Sequence, residues 1–211
     1  MKRMVVLSML VVGICLLSTQ VWSQEHYYMT LDPGNFKTYD FVEVDAGIML
    51  VEPITEEDGW THLNTKITVG GVLVEEVTRR YSVDAEGNVW FFGIVAQMDQ
   101  PAEPVLFVDA PLYMGKAWEQ TVDYPGYPTR HFSHVCEAEE FVTVPLGTYW
   151  CFRVRTIVTS ATEVTETIYW YCDGFGRVKI QTVADPYTFE LADGVIPVEN
   201  TTWGAVKSLY R

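Results

Sequence analysis

The densest cluster of side chains that could do chemistry is the segment His131-Phe132-Ser133-His134-Val135-Cys136. Imidazole nitrogens and a thiolate are ligands that zinc and copper prefer in proteins. On a regular strand His134 and Cys136 share one face while His131 lies on the other, so at most two ligands converge. A catalytic zinc site uses three protein ligands. We therefore assign no metal-binding residue and keep a metal-dependent hydrolase using His131 and His134 only as an alternative.

Three further motifs lack a part that their chemistry requires. Ser133 is not part of the Gly-x-Ser-x-Gly turn that presents a serine nucleophile. The acidic groups Glu56-Glu57-Asp58 and Glu137-Ala138-Glu139-Glu140 are sequence neighbours, whereas glycoside hydrolysis needs two carboxyl groups facing each other across a cleft. Gly174-Phe175-Gly176 begins like a dinucleotide-binding loop, but the third glycine and the following helix are missing. We assign no catalytic residue and no cofactor, and the sequence favours a protein that is not an enzyme.

The elements that position these residues are short runs rich in Val, Thr, Tyr, Phe and Trp, separated by Gly, Pro, Asn and Asp. No stretch before residue 200 keeps the apolar spacing of an amphipathic helix. The pattern predicts an all-β, antiparallel fold. Two hairpins can be placed, because Gly70-Gly71 tolerates the positive φ angles of a two-residue turn and the polar segment 84–88 forms a longer turn.

The next hairpin carries two cysteines. If the chain turns at Ala161-Thr162, Cys151 lies opposite Cys172, and Arg153 lies opposite Trp170 in a geometry that permits a cation–π contact. Cysteines that face each other across antiparallel strands can form a disulfide in an oxidising compartment. A slip of two residues would keep both faces of the hairpin and separate the cysteines, so buried free thiols remain the alternative.

Residues 1–23 have the three parts of a cleavable secretory signal peptide. Lys2 and Arg3 give a positive start, and residues 4–17 are mostly apolar. Val21 and Ser23 place small side chains at positions −3 and −1 if cleavage occurs before Gln24. The apolar run is shorter than the roughly 20 residues that a helix needs to span a bilayer. We expect the protein to be exported to a periplasm, the cell surface or the medium, with no transmembrane segment in its mature chain.

The composition limits the classes of molecule that the protein can be expected to bind. The chain has 28 Asp and Glu against 14 Lys and Arg, a net charge of −14 at pH 7. An acidic surface repels the phosphates of nucleic acids, so no nucleic-acid partner is expected. The 7 Trp, 12 Tyr and 10 Phe would line an apolar pocket if part of the sheet is left open. The ligand would then be apolar or a carbohydrate, or the partner a protein.

One all-β domain is expected over residues 24–191, and residues 192–211 read as a connector followed by a short C-terminal helical segment. Three apolar side chains of that segment share one side, and two cations suit the negative end of the helix dipole. The segment is either docked on the domain or a recognition tail for an export or anchoring machine. Its candidate recognition residues are Trp203, Val206, Lys207, Tyr210 and Arg211.

Turn and aromatic residues form three sequence motifs along the chain. They are Leu31-Asp32-Pro33-Gly34-Asn35-Phe36 with Tyr39, Pro111-Leu112 with Gly115-Lys116 and Trp118, and Val144-Pro145-Leu146-Gly147-Thr148-Tyr149 followed by Tyr169-Trp170-Tyr171 and Gly174-Phe175-Gly176-Arg177-Val178-Lys179. Together they resemble the motifs of a loosely defined group of secreted bacterial β-rich proteins without an assigned activity. The resemblance covers most of residues 27–182. It implies a single, strongly curved antiparallel sheet, similar to the half-barrels of periplasmic lipoprotein carriers.

Fold class and function follow as expectations. The fold is an all-β half-barrel or sandwich with a short C-terminal helix. The function is that of a secreted, non-enzymatic protein with a ligand-binding or surface-interaction role, and a structural protein of the cell envelope is the alternative. The C-terminal residues 203–211 also resemble a short ending found on other exported bacterial proteins, which favours the recognition tail.

Overall fold

The computed structural model describes residues 28–29, 31, 35–44, 46–95, 100–184 and 187–194. This part of the chain contains twelve strands and no helix. The strands are β1 (Lys37–Phe41), β2 (Gly47–Glu57), β3 (Trp60–Val69), β4 (Val72–Val83), β5 (Val89–Ile94), β6 (Val105–Val108), β7 (Ala117–Tyr124), β8 (Tyr127–Val144), β9 (Gly147–Thr159), β10 (Val164–Cys172), β11 (Gly176–Thr182) and β12 (Thr188–Gly194).

All twelve strands form one antiparallel sheet in the order β6-β5-β4-β3-β2-β1-β12-β11-β10-β9-β8-β7. Strands β1 to β6 are one meander, β7 to β12 are a second, and pairing of β1 with β12 joins them. The two edge strands, β6 and β7, approach each other, so the sheet is a nearly closed barrel. The predicted all-β antiparallel sheet is confirmed. A nearly closed barrel takes the place of the half-barrel and the sandwich.

The barrel closes at the β6–β7 seam, where side chains replace the backbone ladder. Gln120 accepts a hydrogen bond from the Leu106 backbone N–H at 2.9 Å and donates one to the Pro104 carbonyl oxygen at 3.0 Å. The indole N–H of Trp118 donates to the Leu106 carbonyl oxygen at 3.2 Å. One Gln side chain thus satisfies a donor and an acceptor of the strand edge, which would otherwise lie unpaired.

We expect Gln120→Leu to lower the free energy of unfolding by about 1–3 kcal/mol, because it leaves a half-buried N–H and C=O at the seam without partners. Urea unfolding followed by tryptophan fluorescence measures the change. Thr121→Ala is the control, since Thr121 is exposed on the neighbouring position of the same strand. A loss no larger than that of Thr121→Ala would contradict the role given to Gln120.

Bulges bend the sheet toward closure. The register shifts between Trp170 and Tyr171 in the β10–β11 pair, and between Cys136 and Ala138 in the β8–β9 pair. A bulge inserts one extra residue in one strand, bends that strand and increases its twist. Several such shifts along one sheet bring its two edges together.

Aromatic side chains fill much of the barrel interior. The Phe107 ring makes edge contacts with Tyr81 and Tyr169, at centroid distances of 6.1 and 5.4 Å. Trp118 stacks on His134 at 4.8 Å with an angle of 8° between the ring planes. The interior is therefore a packed core over most of its length, and any ligand space must lie toward the ends of the barrel.

Both placed hairpins are confirmed. Val69 pairs with Val72 across Gly70-Gly71, whose φ angles are +58° and +79°. Val83 pairs with Val89 across the longer polar turn. In both cases the turn residues specified the connection locally, so short-range sequence was sufficient to find them.

Strand β12 extends to Gly194, so it includes the first three residues of the segment that the sequence assigns to a connector. The predicted C-terminal helix, the candidate tail residues Trp203 to Arg211 and the predicted signal peptide over residues 1–23 lie outside the described residues. Within the described part, no helix is long and apolar enough to cross a membrane.

Candidate functional site

A basic opening lies at one end of the barrel, where β1, β2, β3 and β11 meet the segment before β1. Its apolar wall is formed by Met29, Phe36, Val51, Pro53 and Leu63. Its polar groups come from Asn35, Lys37, Tyr39 and Arg177. The opening is continuous with solvent, and its free space is about 30 Å³, room for one or two water molecules. Two basic side chains therefore lie at the opening, together with the polar groups of Asn35 and Tyr39.

Strand periodicity and one bulge determine on which face of the sheet these basic side chains lie. Lys37 and Tyr39 are two residues apart on β1, so their side chains share a face. On β11, the bulge opposite β10 pairs Tyr171 with Arg177 and leaves Val178 as the extra residue. The bulge turns Arg177 to the face that carries Tyr171, whereas Lys179 lies on the opposite face with Trp170.

Arg177 is surrounded by tyrosines. Its guanidinium lies over the ring of Tyr169 at 5.5 Å, and Tyr39 donates its hydroxyl proton to the Arg177 carbonyl oxygen at 2.9 Å. Burial raises the pKa of Tyr39, Tyr169 and Tyr171, so these phenols stay neutral near pH 7. Burial acts to lower the pKa of Arg177, but its interactions with the tyrosines outweigh that effect and the pKa is raised. The guanidinium is therefore charged, and no phenolate balances it.

One atom of Arg177 is left without a partner. Its Nε is shielded from solvent and makes no hydrogen bond within the described part of the chain. The described residues also give Arg177 no ion pair with a carboxylate. The residue as a whole is only half-buried, because it borders the opening. A buried N–H donor without a partner costs about 1–3 kcal/mol.

Lys37 is the second cation of the basic opening. Its ammonium donates a hydrogen bond to the Phe175 carbonyl oxygen in the β10–β11 turn. Burial, and secondarily the positive charge of Arg177, lowers the pKa of Lys37 from 10.5 to about 7. The nearby carboxylates of Asp40 and Asp193 are exposed and alternate to the other face of the sheet. Lys37 therefore sits at the border between its charged and neutral forms.

The turn Gly174-Phe175-Gly176, whose sequence begins like a dinucleotide-binding loop, positions the hydrogen-bond acceptor of Lys37. Gly174 and Gly176 adopt positive φ angles of 77° and 75° in the β10–β11 turn. A Cβ on Gly176 would lie 2.9 Å from the Lys37 ammonium nitrogen and 3.1 Å from the Tyr28 carbonyl oxygen. Only glycine lets the turn approach Lys37 this closely, which positions the Phe175 carbonyl oxygen for the hydrogen bond.

The Cys151–Cys172 disulfide holds the end of β10 that leads into this turn. The bond is present, with a Cα–Cα distance of 4.3 Å and a sequence separation of 21 residues. The register of the hairpin is the predicted one, since Phe152 pairs with Tyr171 and Val154 pairs with Tyr169. The alternative of two free thiols at these positions is ruled out.

The clustered histidines do not come together. His134 points inward and is 1% exposed, and its Nδ1 lies 2.9 Å from the Thr156 hydroxyl oxygen. His131 points outward to Thr121 and Glu119. Cys136 is a buried free thiol, and burial raises its pKa to about 11. Within the described ranges, no three His, Cys, Asp or Glu side chains form a group that could hold a metal ion.

The acidic residues of β8 serve as partners for cations on the outer face. Glu137 forms ion pairs with Arg153 at 3.4 Å and with Arg155 at 2.5 Å. Glu140 accepts a hydrogen bond from the Trp170 indole N–H at 2.8 Å. Trp170 lies opposite Arg153 as predicted, but the cation over its ring belongs to Lys179, at 5.3 Å. The predicted Arg153–Trp170 cation–π contact is replaced by this one.

A second cavity lies beside the β9–β10 turn, at the end of this hairpin that is far from the disulfide. It has about 290 Å³ of free space and is lined by Phe91, Tyr124, Arg130, Phe132, Val158, Ser160, Glu163 and Thr165. Arg130 lies over the Tyr124 ring at 4.3 Å. Glu163 brings a carboxylate, so the charges of this cavity are mixed.

Sequence reasoning did not find the basic opening. Tyr39 and Arg177 fall within signatures that marked only turns and aromatic positions, and Lys37 stood out in no motif. Lys37 and Arg177 are 140 residues apart, and only the pairing of β1 with β12, next to β11, brings them together. One sequence feature could have indicated the site. Arg177 directly follows the glycine turn, in a chain with few basic residues.

Comparison with known proteins gives weak likenesses only. No protein-family model and no curated protein matches the chain. A Bacteroides fragilis protein, provisionally named an exported protein with a YmcC-like fold, is 13% identical, with a TM-score of 0.48 over 81% of this chain and 99% of that chain. A Parabacteroides distasonis protein, provisionally named a lipoprotein, is 10% identical, with a TM-score of 0.46 over the same shares. Likenesses at this level transfer no function.

Proposed function

We propose that the protein is an exported, non-enzymatic binding protein that takes a small ligand into the basic opening. The observation that carries the proposal is the opening itself, a partly apolar recess that is lined by the side chains of Lys37 and Arg177. Concave, mostly apolar sites with a few converging polar groups are typical of small-molecule binding.

Export is part of the proposal and depends on the N-terminal residues. Lys2, Arg3 and the apolar run over residues 4–17 support a cleavable signal peptide. A disulfide between Cys151 and Cys172 fits an oxidising compartment. A tail over residues 203–211 that is recognised by an export or anchoring machine would be a second targeting signal. The ligand would then be met in a periplasm, at the cell surface or in the medium.

The test is a titration of the isotope-labelled protein, recovered after export, with octyl amphiphiles whose head groups are neutral, anionic or cationic. We expect at least one of them to shift the amide signals of Val51 and Leu63 in a saturable way, because both side chains line the opening. Val51→Trp should abolish the response by filling the opening. Ile48→Trp is the matched control on the same strand, at a position that is 40% exposed. If no member of the series shifts these signals, the binding function is wrong.

A further inference from the structure

The second cavity, beside the β9–β10 turn, is a site that the proposed function does not use. Strand β10 begins at Val164 next to this cavity and ends at Cys172, which pairs with Gly176 beside the basic opening. The two sites therefore lie at opposite ends of the barrel. We propose that the second cavity binds a neutral pyranose sugar, independently of any ligand in the basic opening.

The cavity has room for a single sugar ring. Its free space of about 290 Å³ is close to the lower end of the range typical of small-molecule sites. Phe91 on β5 and Val158 on β9 pack against buried side chains inside the barrel, yet each is only part-buried. Since both side chains point inward and line the cavity, their exposed surface lies in the cavity. A ligand can therefore touch these two side chains without a rearrangement of the core.

The floor of the cavity suits the C–H face of a ring. Phe91 supplies an aromatic ring and Val158 an aliphatic surface. Below them lie Phe132, the cross-strand partner of Val158, and Tyr124, which are 6% and 3% exposed. A pyranose carries hydroxyl groups around its edge and C–H groups on its faces. Placing one such face on an apolar floor removes both surfaces from water, which stabilises the complex.

The rim supplies polar groups for the hydroxyl edge of the ring. Thr165 faces into the barrel, because it pairs with Val158 across the sheet, and it is exposed at the mouth of the cavity. Glu163 lies in the β9–β10 turn and is also exposed. Within the described ranges, the Glu163 carboxylate and the Thr165 hydroxyl group form no hydrogen bond and no ion pair. Both can therefore bond to sugar hydroxyl groups, which donate as well as accept.

Ser160 holds the turn that carries Glu163. The Ser160 hydroxyl oxygen accepts hydrogen bonds from the backbone N–H groups of Thr162 and Glu163, at 3.3 and 3.1 Å. The Ser160 backbone N–H donates to the Glu163 carbonyl oxygen at 2.8 Å. The backbone at Glu163 is thus fixed before a ligand arrives, so binding does not have to pay the entropy of ordering it.

The charges of the cavity favour a neutral ligand. Arg130 lies over the Tyr124 ring at 4.3 Å, and Glu163 is the one carboxylate among the described residues that line the cavity. One guanidinium and one carboxylate leave this lining without net charge at pH 7. A charged ligand would lose its hydration there without meeting a net opposite charge, whereas hydroxyl groups can bond to groups of either sign.

The experiment is a titration of the isotope-labelled protein, recovered after export, with the methyl pyranosides of glucose, galactose, mannose and N-acetylglucosamine. Cyclohexylmethanol, which has a ring and one hydroxyl group, and sorbitol, an open-chain polyol, are titrated in parallel. We expect at least one pyranoside to shift the amide signals of Phe91, Val158 and Thr165 in a saturable way, and to bind about tenfold tighter than both comparison compounds. The signals of Val51 and Leu63 at the basic opening should not move.

Two variants at the rim test the contacts without altering the core. Glu163→Gln keeps the size of the side chain and removes its charge, so it should weaken binding by about threefold to tenfold, because hydrogen bonds to a charged acceptor are the stronger ones. Thr165→Trp should abolish binding by filling the mouth of the cavity. Val164→Trp is the matched control, since Val164 is the neighbouring residue of β10, is 62% exposed and faces the other way.

The outcomes are distinguishable. Cyclohexylmethanol bound as tightly as the pyranosides would assign the cavity to an apolar ring and overturn the carbohydrate. Sorbitol bound as tightly would show that the ring face contributes nothing, which overturns it as well. Binding abolished by Val164→Trp as fully as by Thr165→Trp would place the ligand outside the cavity. If no pyranoside shifts the cavity signals, the second site is wrong, whereas the proposed function is decided separately by the signals of the basic opening.

Discussion

Replacing both cysteines of the disulfide, with Cys151→Ala and Cys172→Ala, should lower the free energy of unfolding by about 3 kcal/mol. The bond closes a loop over a sequence separation of 21 residues, and a cross-link of that span restricts the unfolded chain by roughly this amount. Urea unfolding of the two proteins, compared at one pH, measures the difference. At this chain length the same loss corresponds to a melting temperature lower by about 6–12 °C.

The control for this variant is Cys136→Ala, which removes the buried free thiol and keeps the disulfide. The double variant leaves Cys136 as the one cysteine after residue 23, so no alternative disulfide can form within residues 24–211. Intact mass should rise by two protons on reduction of the unaltered protein and of Cys136→Ala, and should not change for the double variant. A stability loss in the double variant that is no larger than that of Cys136→Ala would contradict the stabilising role of the bond.

Acid should destabilise the protein through His134. Burial lowers the pKa of His134 from 6.5 to about 4, so the neutral imidazole is strongly favoured in the folded state. In the unfolded chain the ring takes up a proton below about pH 6.5. Since the unfolded state binds more protons between pH 6.5 and 4, stability falls as pH falls through this window. The full contribution lost by pH 4 is about 3 kcal/mol.

The measurement is the free energy of unfolding at pH 7, 5.5 and 4 for the unaltered protein and for His134→Gln. The variant lacks the titrating group, so its stability should fall less between pH 7 and 4, by a difference of about 3 kcal/mol. His131→Gln is the matched control, because His131 lies outward on the same strand. Identical pH profiles for His134→Gln and the unaltered protein would show that His134 is not the group responsible.

The local part of the fold could be predicted from the sequence. In the β9–β10 hairpin, the two-residue period and a single turn fixed which side chains share a face, and the register placed Cys151 opposite Cys172. The same alternation predicted that His131 and His134 lie on opposite faces of the strand, but it did not indicate that His134 is the buried one. These features depend on residues that lie close together in the chain.

Closure and the site could not be predicted, for a different physical reason. The seam depends on Gln120 reaching backbone groups of another strand, which no periodicity indicates. The basic opening depends on the approach of Lys37 to the β10–β11 turn, over a separation of 138 residues. The sequence also did not show that Glu137 forms ion pairs with Arg153 and Arg155 on the outer face.

The pairing of β1 with β12 has a consequence for the time course of synthesis. Among the residues that the structure describes, every other backbone ladder joins strands that follow each other in the chain, so β1 meets its second neighbour only after β12 has been made. Until then the nascent N-terminal meander exposes an open β1 edge, which is the kind of surface that chaperones shield from aggregation. Arg177 lies on the penultimate strand and Lys37 on the first. The ligand site is therefore assembled in the last step, and a truncated chain that lacks β12 would have no site to fill.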